Sequence, residues 1–295
     1  MTAGAWTVSD AGIPTATANV NRDEGATLLF IGDLHLDYPN ADRKGAARLL
    51  KRAVERDAAI ILLGDVFDVM QGMGDRRRSK AELRARYAGR DDYLTAVLED
   101  VAGFLEPFAS HVWIALDGNH ESAITHYNEV SLTKLLAHDL RRAGGPVVAP
   151  GYQTYALARL SFRQDDTRAD TVVPFWISHG HGGGGEVTKG TLQAQRRAVT
   201  YPDARFVVSG HIHSSYFVAH EQHRVTPNGL VYDVEQEHYV VGSWKNEHQG
   251  SRYHIEKGRG PRLPSGWWCT FYRARGEDGA SAHERARWEF TRAVP

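Results

Sequence analysis

Five short stretches gather residues able to do chemistry: GDLHLD at 32–37, GDVFD at 64–68, DGNHE at 117–121, SHGH at 178–181 and GHIH at 210–213. Together they offer the carboxylates of Asp33, Asp65, Asp68 and Glu121, the amide of Asn119, and the imidazoles of His35, His120, His179, His181, His211 and His213. Carboxylates, a carbonyl and neutral imidazoles form a mixed nitrogen and oxygen set. Such a set suits Mn, Fe or Zn rather than the oxygen-only sites of Ca or Mg. More ligands are present than one ion needs. That surplus points to two ions about 3.5–4 Å apart, sharing a carboxylate and a water or hydroxide, which is a hydrolytic arrangement.

The elements that must position these groups are written just before them. Each stretch follows a short apolar run: TLLFIG at 27–32, AAIILLG at 58–64, HVWIAL at 111–116, TVVPFWIS at 171–178 and RFVVSG at 205–210. Their length, their β-branched and aromatic content and the polar or glycine residues that close them predict buried strands. Helix-compatible segments at 42–56, 80–107 and 128–143 alternate with the first three, which implies βαβ units. From about residue 145 the pattern turns strand-rich, with one helical stretch at 187–199. In α/β sheets ligands gather at the carboxyl ends of strands, so five strands would deliver five polar tips to one place.

The five stretches occur in the order D-x-H, G-D-x-x-D, G-N-H-[DE], a lone H and G-H-x-H. In this the chain resembles the calcineurin-like metallophosphoesterases over residues 27–215. Taken alone, GDVFD or HGH is a loop with capping carboxylates or a glycine turn; all five in order, each behind a strand, are far more specific. The resemblance implies an α/β fold, a two-sheet β-sandwich flanked by helices. It implies one ion held by Asp33, His35, Asp65 and His213 and a second by Asp65, Asn119, His179 and His211, with Asp65 bridging. It places the ligand at the first histidine of HGH, leaving His181 to meet substrate. It also implies His120 as the general acid that protonates the leaving oxygen after attack by a metal-bridging hydroxide, with Asp68 orienting it. The ions are expected to be Mn2+, with Fe or Zn as alternatives.

Two further stretches bear on substrate. MGDRRRSK at 73–80 places Arg76, Arg77 and Arg78 just beyond GDVFD, and HGGGGEVTKG at 181–190 combines flexible glycines with Lys189. Both could meet phosphates flanking a scissile bond, which favours a phosphodiester in nucleic acid or a nucleotide. The alternatives are a phosphomonoesterase acting on a small molecule or phosphoprotein and, from another class, a catalytically silent metal-binding scaffold. Retention of His120 and Asp68 beside the ligand set argues against the last.

Composition adds limits. With 35 basic and 36 acidic residues, no global field draws the chain to nucleic acid or to an anionic membrane. Cys269 is the one cysteine, the N-terminus lacks the basic start and apolar core of a signal peptide, and no run reaches the roughly 18 apolar residues of a membrane span. A cytoplasmic setting without a membrane partner is the expectation. The small, polar residues 1–24 are expected to hold loosely to a metallophosphoesterase domain at 25–295 with strand-rich elaborations.

Overall fold

The computed structural model describes residues 1–10, 12–20, 25–69, 83–87, 90–164, 167–183, 188, 190–246, 262–274 and 286–295. Among the described residues two sheets face each other. The six-stranded sheet contains β4 (Ala26–Ile31), β5 (Ala59–Leu62), β6 (Val112–Leu116), β7 (Val148–Gly151), β13 (Gly266–Arg273) and β14 (Ala286–Ala293), in the order β14-β13-β4-β5-β6-β7. Its β4, β5, β6 and β7 are parallel. The crossovers between them carry α1 (Arg43–Glu55), α2 (Tyr93–Leu105), α3 (Asn119–Asn128) and α4 (Leu132–Arg142). The eight-stranded sheet runs β1-β2-β3-β8-β9-β10-β12-β11. It comprises β1 (Thr2–Ala3), β2 (Trp6–Ser9), β3 (Thr15–Asn19), β8 (Gln153–Gln164), β9 (Thr167–Ser178), β10 (Phe206–Ser209), β11 (Tyr216–Val225) and β12 (Val231–Val240). This is the α/β sandwich of two mixed sheets with flanking helices that the resemblance implied.

All five apolar runs are strands, and alternation explains why both faces of the first sheet are dry. On β4, Leu29 and Ile31 face the helices, while Leu28 and Phe30 face the other sheet. Each face therefore has a core of its own, which is why these strands read as unbroken apolar runs. The β5–β6 register shifts between Ile60 and Ile61, and past the shift Trp113 and Ile114 both enter the inter-sheet core. A smaller cluster of Trp176, Ala204 and Val207, with Tyr155 and Tyr201, lies apart from these two cores.

Three expectations need correction. Residues 1–10 and 12–20 are not loosely held: β3 pairs in parallel with β8, Ala3 and Trp6 are fully buried, and Trp6 Nε1 donates to the carbonyl of Thr27 at 2.9 Å. Among the described residues of the helix expected over 80–107 stand α2, Tyr93–Leu105, and a 3-10 turn at Ala85–Tyr87 before it; 80–82 and 88–89 lie outside the described residues. The helix expected over 128–143 is two. α3 opens within the DGNHE stretch and ends at Glu129 in the left-handed conformation, and Ser131 then caps α4 by accepting from the Lys134 amide. The stretch expected at 187–199 is α5, Thr191–Thr200. No helix among the described residues is long and apolar enough to cross a membrane.

Candidate metal centre

The five polar tips meet where the two sheets' strands end. β4, β5 and β6 bring Asp33 and His35, Asp65 and Asp68, and Asn119 and His120; β9 and β10 bring His179 and then His211 and His213. The loops after β4 and β5 lie side by side: the amides of Asp33, His35 and Leu36 donate to the carbonyls of Gly64, Asp65 and Val66 at 2.9–3.0 Å. After β9 and β10 the pairing repeats, with the Gly210 amide donating to the His179 carbonyl at 2.9 Å. Two bonds then tie loop to loop. The His211 amide donates to Asp33 Oδ2 at 2.9 Å across the sandwich, and the His120 amide donates to Asp65 Oδ1 at 3.1 Å.

The backbone at these tips is unusual for residues that carry side chains. Asp33, His35, Asp65, His211 and His213 all have positive φ, between 43° and 75°. Asp, Asn and His tolerate the left-handed region better than most residues, yet each such position still costs on the order of 1 kcal/mol. Five together mark a conformation maintained by its surroundings. Glycines make the close approaches possible. A Cβ on Gly118 would lie 2.0 Å from Asp65 Oδ1, and one on Gly210 would lie 2.4 Å from Asp33 Oδ2.

Two groups of ligand atoms result, each with its atoms within 4.8 Å of one another. Asp33, His35, Asp65 and His213 form one, and Asp65, His179 and His211 form the other, so Asp65 belongs to both. Asn119 joins the second: its Oδ1 lies 2.8 Å from His211 Nδ1 and 3.1 Å from His179 Nε2. A third group, His35, Asp68 and His120, lies alongside. Asp33, His35, Asp65 and His179 are fully or almost fully buried, whereas Asn119, His211 and His213 are half-buried and line the side open to solvent.

The electrostatics are those of a site built for cations. Burial alone would raise both central carboxylates, but His213 beside Asp33, and His179 and His120 beside Asp65, override it and hold both below their usual range. Burial would likewise lower His179, yet the charge of Asp65 raises it to about 10. His35 moves the other way, to about 4, through burial and then the charge of Lys245, so at neutral pH it is the uncharged imidazole that a metal ligand must be. His35 Nδ1 lies 3.0 Å from the Asp68 carboxylate, but Nε2 makes no hydrogen bond although the ring is fully buried. Buried polar atoms are rarely left so, and a metal is one partner that satisfies them. The buried Asp and His groups fit a dinuclear divalent metal site.

The roles of several supporting residues were not legible in the sequence. Glu121 Oε2 accepts from the amides of Gly118 and Asp65 and its Oε1 from that of Phe67, at 2.8, 3.2 and 3.0 Å, which clamps the loop after β6 to the loop after β5. Burial, then the charge of Asp65, raises it to about 8, while the amides pull the other way. Asp37 accepts from the amides of Asp68 and Val69 at 2.5 and 2.9 Å. The alternation Asp33, His35, Asp37 was the one available signal for it. Lys245 Nζ lies 2.6 Å from Asp68 Oδ1, and nothing in the sequence marks it.

The expected pairing of Asp68 with His120 takes a different form. His120 Nδ1 bonds to the backbone carbonyl of Asp68, while the Asp68 carboxylate lies 3.9 Å from that nitrogen and 3.0 Å from His35 Nδ1. His181 is exposed and belongs to none of the three groups. Arg76, Arg77, Arg78 and Lys189 lie outside the described residues.

Among curated proteins none matches the chain. Residues 26–215 match the family model described as calcineurin-like phosphoesterase, a span holding all five strand-end stretches, and the chain belongs to that family.

Proposed function

We propose that this protein hydrolyses phosphodiester bonds, with nucleic acid or a nucleotide as substrate and two divalent transition ions, Mn2+ first among them, as cofactors. The observation that carries the reading is the membership of Asp65 in two adjacent ligand groups. Asp33, His35, Asp65 and His213 would hold one ion, and Asp65, Asn119, His179 and His211 the other. Bound there, the ions supply Lewis-acid polarisation of phosphoryl oxygens and a hydroxide nucleophile at neutral pH.

The chain's own residues do the rest. Asn119, His211 and His213 flank the open side, so substrate enters past them. His120 Nδ1 donates to the Asp68 carbonyl, which leaves Nε2 to carry a proton toward the departing oxygen; Nε2 lies 3.8 Å from Asp65 Oδ2, beside both ligand groups. Proton delivery of this kind is worth about 10²–10⁴ in rate. The preference for a diester rests on charge. A monoester carries about two negative charges near neutral pH. An internucleotide diester carries one and continues on both sides, where Arg76, Arg77, Arg78 and Lys189 would meet neighbouring phosphates.

The test is a panel with Mn2+ added: a chromogenic diester, its monoester, single-stranded DNA, duplex DNA, RNA and cyclic nucleotides. Diester hydrolysis should exceed monoester hydrolysis. Replacing Arg76, Arg77 and Arg78 by alanine should raise KM for oligonucleotides and flatten its salt dependence, because fewer counterions are released on binding. The small chromogenic diester should be unaffected. Better turnover of monoesters throughout would replace this reading with the phosphatase one.

A further inference from the structure

We infer that Lys245 is a positioning residue of the metal centre: its ammonium holds the Asp68 carboxylate against His35, and so fixes which nitrogen His35 turns toward an ion. Three groups compete for Asp68 Oδ1. Lys245 Nζ is 2.6 Å away, His35 Nδ1 3.0 Å and His120 Nδ1 3.9 Å. The carboxylate therefore serves Lys245 and His35, while His120 is left with the Asp68 carbonyl.

The consequence falls on His35. With Nδ1 beside a carboxylate, Nε2 faces Asp65 Oδ2 at 3.8 Å, inside the group formed with Asp33 and His213. A carboxylate behind an imidazole sets its tautomer, its orientation and its basicity as a ligand. Asp68 is buried, and a second buried carboxylate, Asp37, accepts from its amide, so negative charge is concentrated here. Lys245 provides the compensating charge from a half-enclosed position, its Nζ 4.8 Å from the centre of the Tyr38 ring.

The segment that delivers Lys245 is built into the site. After β12 the chain crosses Asp33, whose carbonyl accepts from the Trp244 amide at 2.9 Å and from Ser243 Oγ at 3.3 Å. The Lys245 amide donates to the same Ser243 Oγ at 3.1 Å, and the Trp244 carbonyl accepts from the Asp42 amide at 2.8 Å, just before α1. Lys245 lies outside the family match at 26–215, so a strand-rich elaboration completes the centre.

The inference rests on the proposed function only for its effect on turnover, and metal binding tests it separately. Chelated wild type, Lys245→Ala, Lys245→Arg, Asp68→Asn and the double variant Lys245→Ala/Asp68→Asn are titrated with Mn2+ by calorimetry. One of two binding steps should weaken by about 10–100-fold in Lys245→Ala, as for other outer partners of metal ligands. Lys245→Arg should lose less, and the double variant no more than Asp68→Asn, since both act through one contact. Diester turnover lost by Lys245→Ala at low Mn2+ should return at saturating Mn2+. Unchanged Mn2+ affinity, additive losses, or a raised KM at every Mn2+ concentration would overturn the inference, the last by making Lys245 a substrate contact. Should Lys245→Ala not fold, Lys245→Met keeps the stem on Tyr38 without the charge and is held to the same outcomes. A wild type that binds two Mn2+ yet cleaves no phosphate ester would remove the proposed function and leave the titration intact.

Discussion

Substituting Gly118 by alanine would test whether the position of Asp65, beyond its chemistry, controls the centre. Gly118 has φ −103° and ψ −175°, a backbone open to any residue, so the effect is one of space alone. The new Cβ would lie 2.0 Å from Asp65 Oδ1 and 2.3 Å from the Asp65 amide nitrogen. Favourable heavy-atom contacts sit at about 3.5–4.0 Å, so the loops after β5 and β6 must part by more than about 1 Å. The side chain of Asp65 could turn aside, but its amide cannot. The same Glu121 oxygen binds the amides of Gly118 and Asp65, so parting the loops also breaks that clamp. Overpacking of this kind costs about 1–3 kcal/mol, and a displacement of about 1 Å in a catalytic group costs about 10²-fold in rate. Metal content by mass spectrometry, thermal unfolding with and without Mn2+, and kcat/KM on a chromogenic diester would measure all three effects. Gly103→Ala is the control: Gly103 lies on the exposed face of α2 with nothing within 4 Å of a Cβ, and alanine there should stabilise by up to about 1 kcal/mol. Full metal content and full activity in Gly118→Ala would refute the reasoning.

His120→Asn should keep both ions and lose about 10²–10⁴ in rate, with a smaller loss on nitrophenyl esters than on alkyl or nucleotide esters, because a good leaving group needs little protonation; equal losses, or a lost ion, would reassign the residue. His238 gives an independent pH effect on stability. It is buried on β12, where Nε2 donates to Gln236 Oε1 at 2.9 Å, and burial, then the charges of His220 and Arg197, lowers it from 6.5 to about 3. The unfolded chain therefore takes up this proton first, so the contribution of His238 is intact above about pH 6.5 and fades as the pH falls toward 3. In urea unfolding from pH 7 to 4, His238→Gln should flatten the acid limb by up to about 1.4 kcal/mol per pH unit, the value of one proton. An unchanged slope would contradict it.

What the sequence made legible follows from how each feature is encoded. Strands buried on both faces must be continuously apolar, so β4, β5, β6, β9 and β10 were visible as runs, and the ligating residues stand at their ends. β1, β2 and β3 were not. Their inward residues, Ala3, Trp6, Ala16 and Ala18, are mostly small, and it is pairing with a distant strand, β8, that makes them structural. α3 was hidden because its first turn is the DGNHE stretch, whose polar residues read as a loop until Glu121 is seen to cap the helix. The roles of Glu121, Asp37 and Lys245 rest on contacts with residues distant in sequence, Glu121 with Asp65 and Phe67, Asp37 with Asp68 and Val69, Lys245 with Asp68 and Tyr38, and local pattern does not show such pairings. The division of Asp68 between two histidines, carbonyl to one and carboxylate to the other, is likewise a matter of side-chain geometry.

The most direct measurement is Mn2+ stoichiometry followed together with diester turnover as the chelated protein is reloaded, for wild type, Asp65→Asn and His35→Ala. Wild type should bind two ions per chain and gain activity as the second binds. Asp65→Asn, which touches both ligand groups, should lose more metal and more activity than His35→Ala, which touches only one of the two. Full turnover with a single ion bound, or an Asp65→Asn variant as active as wild type, would contradict a centre organised around one shared carboxylate.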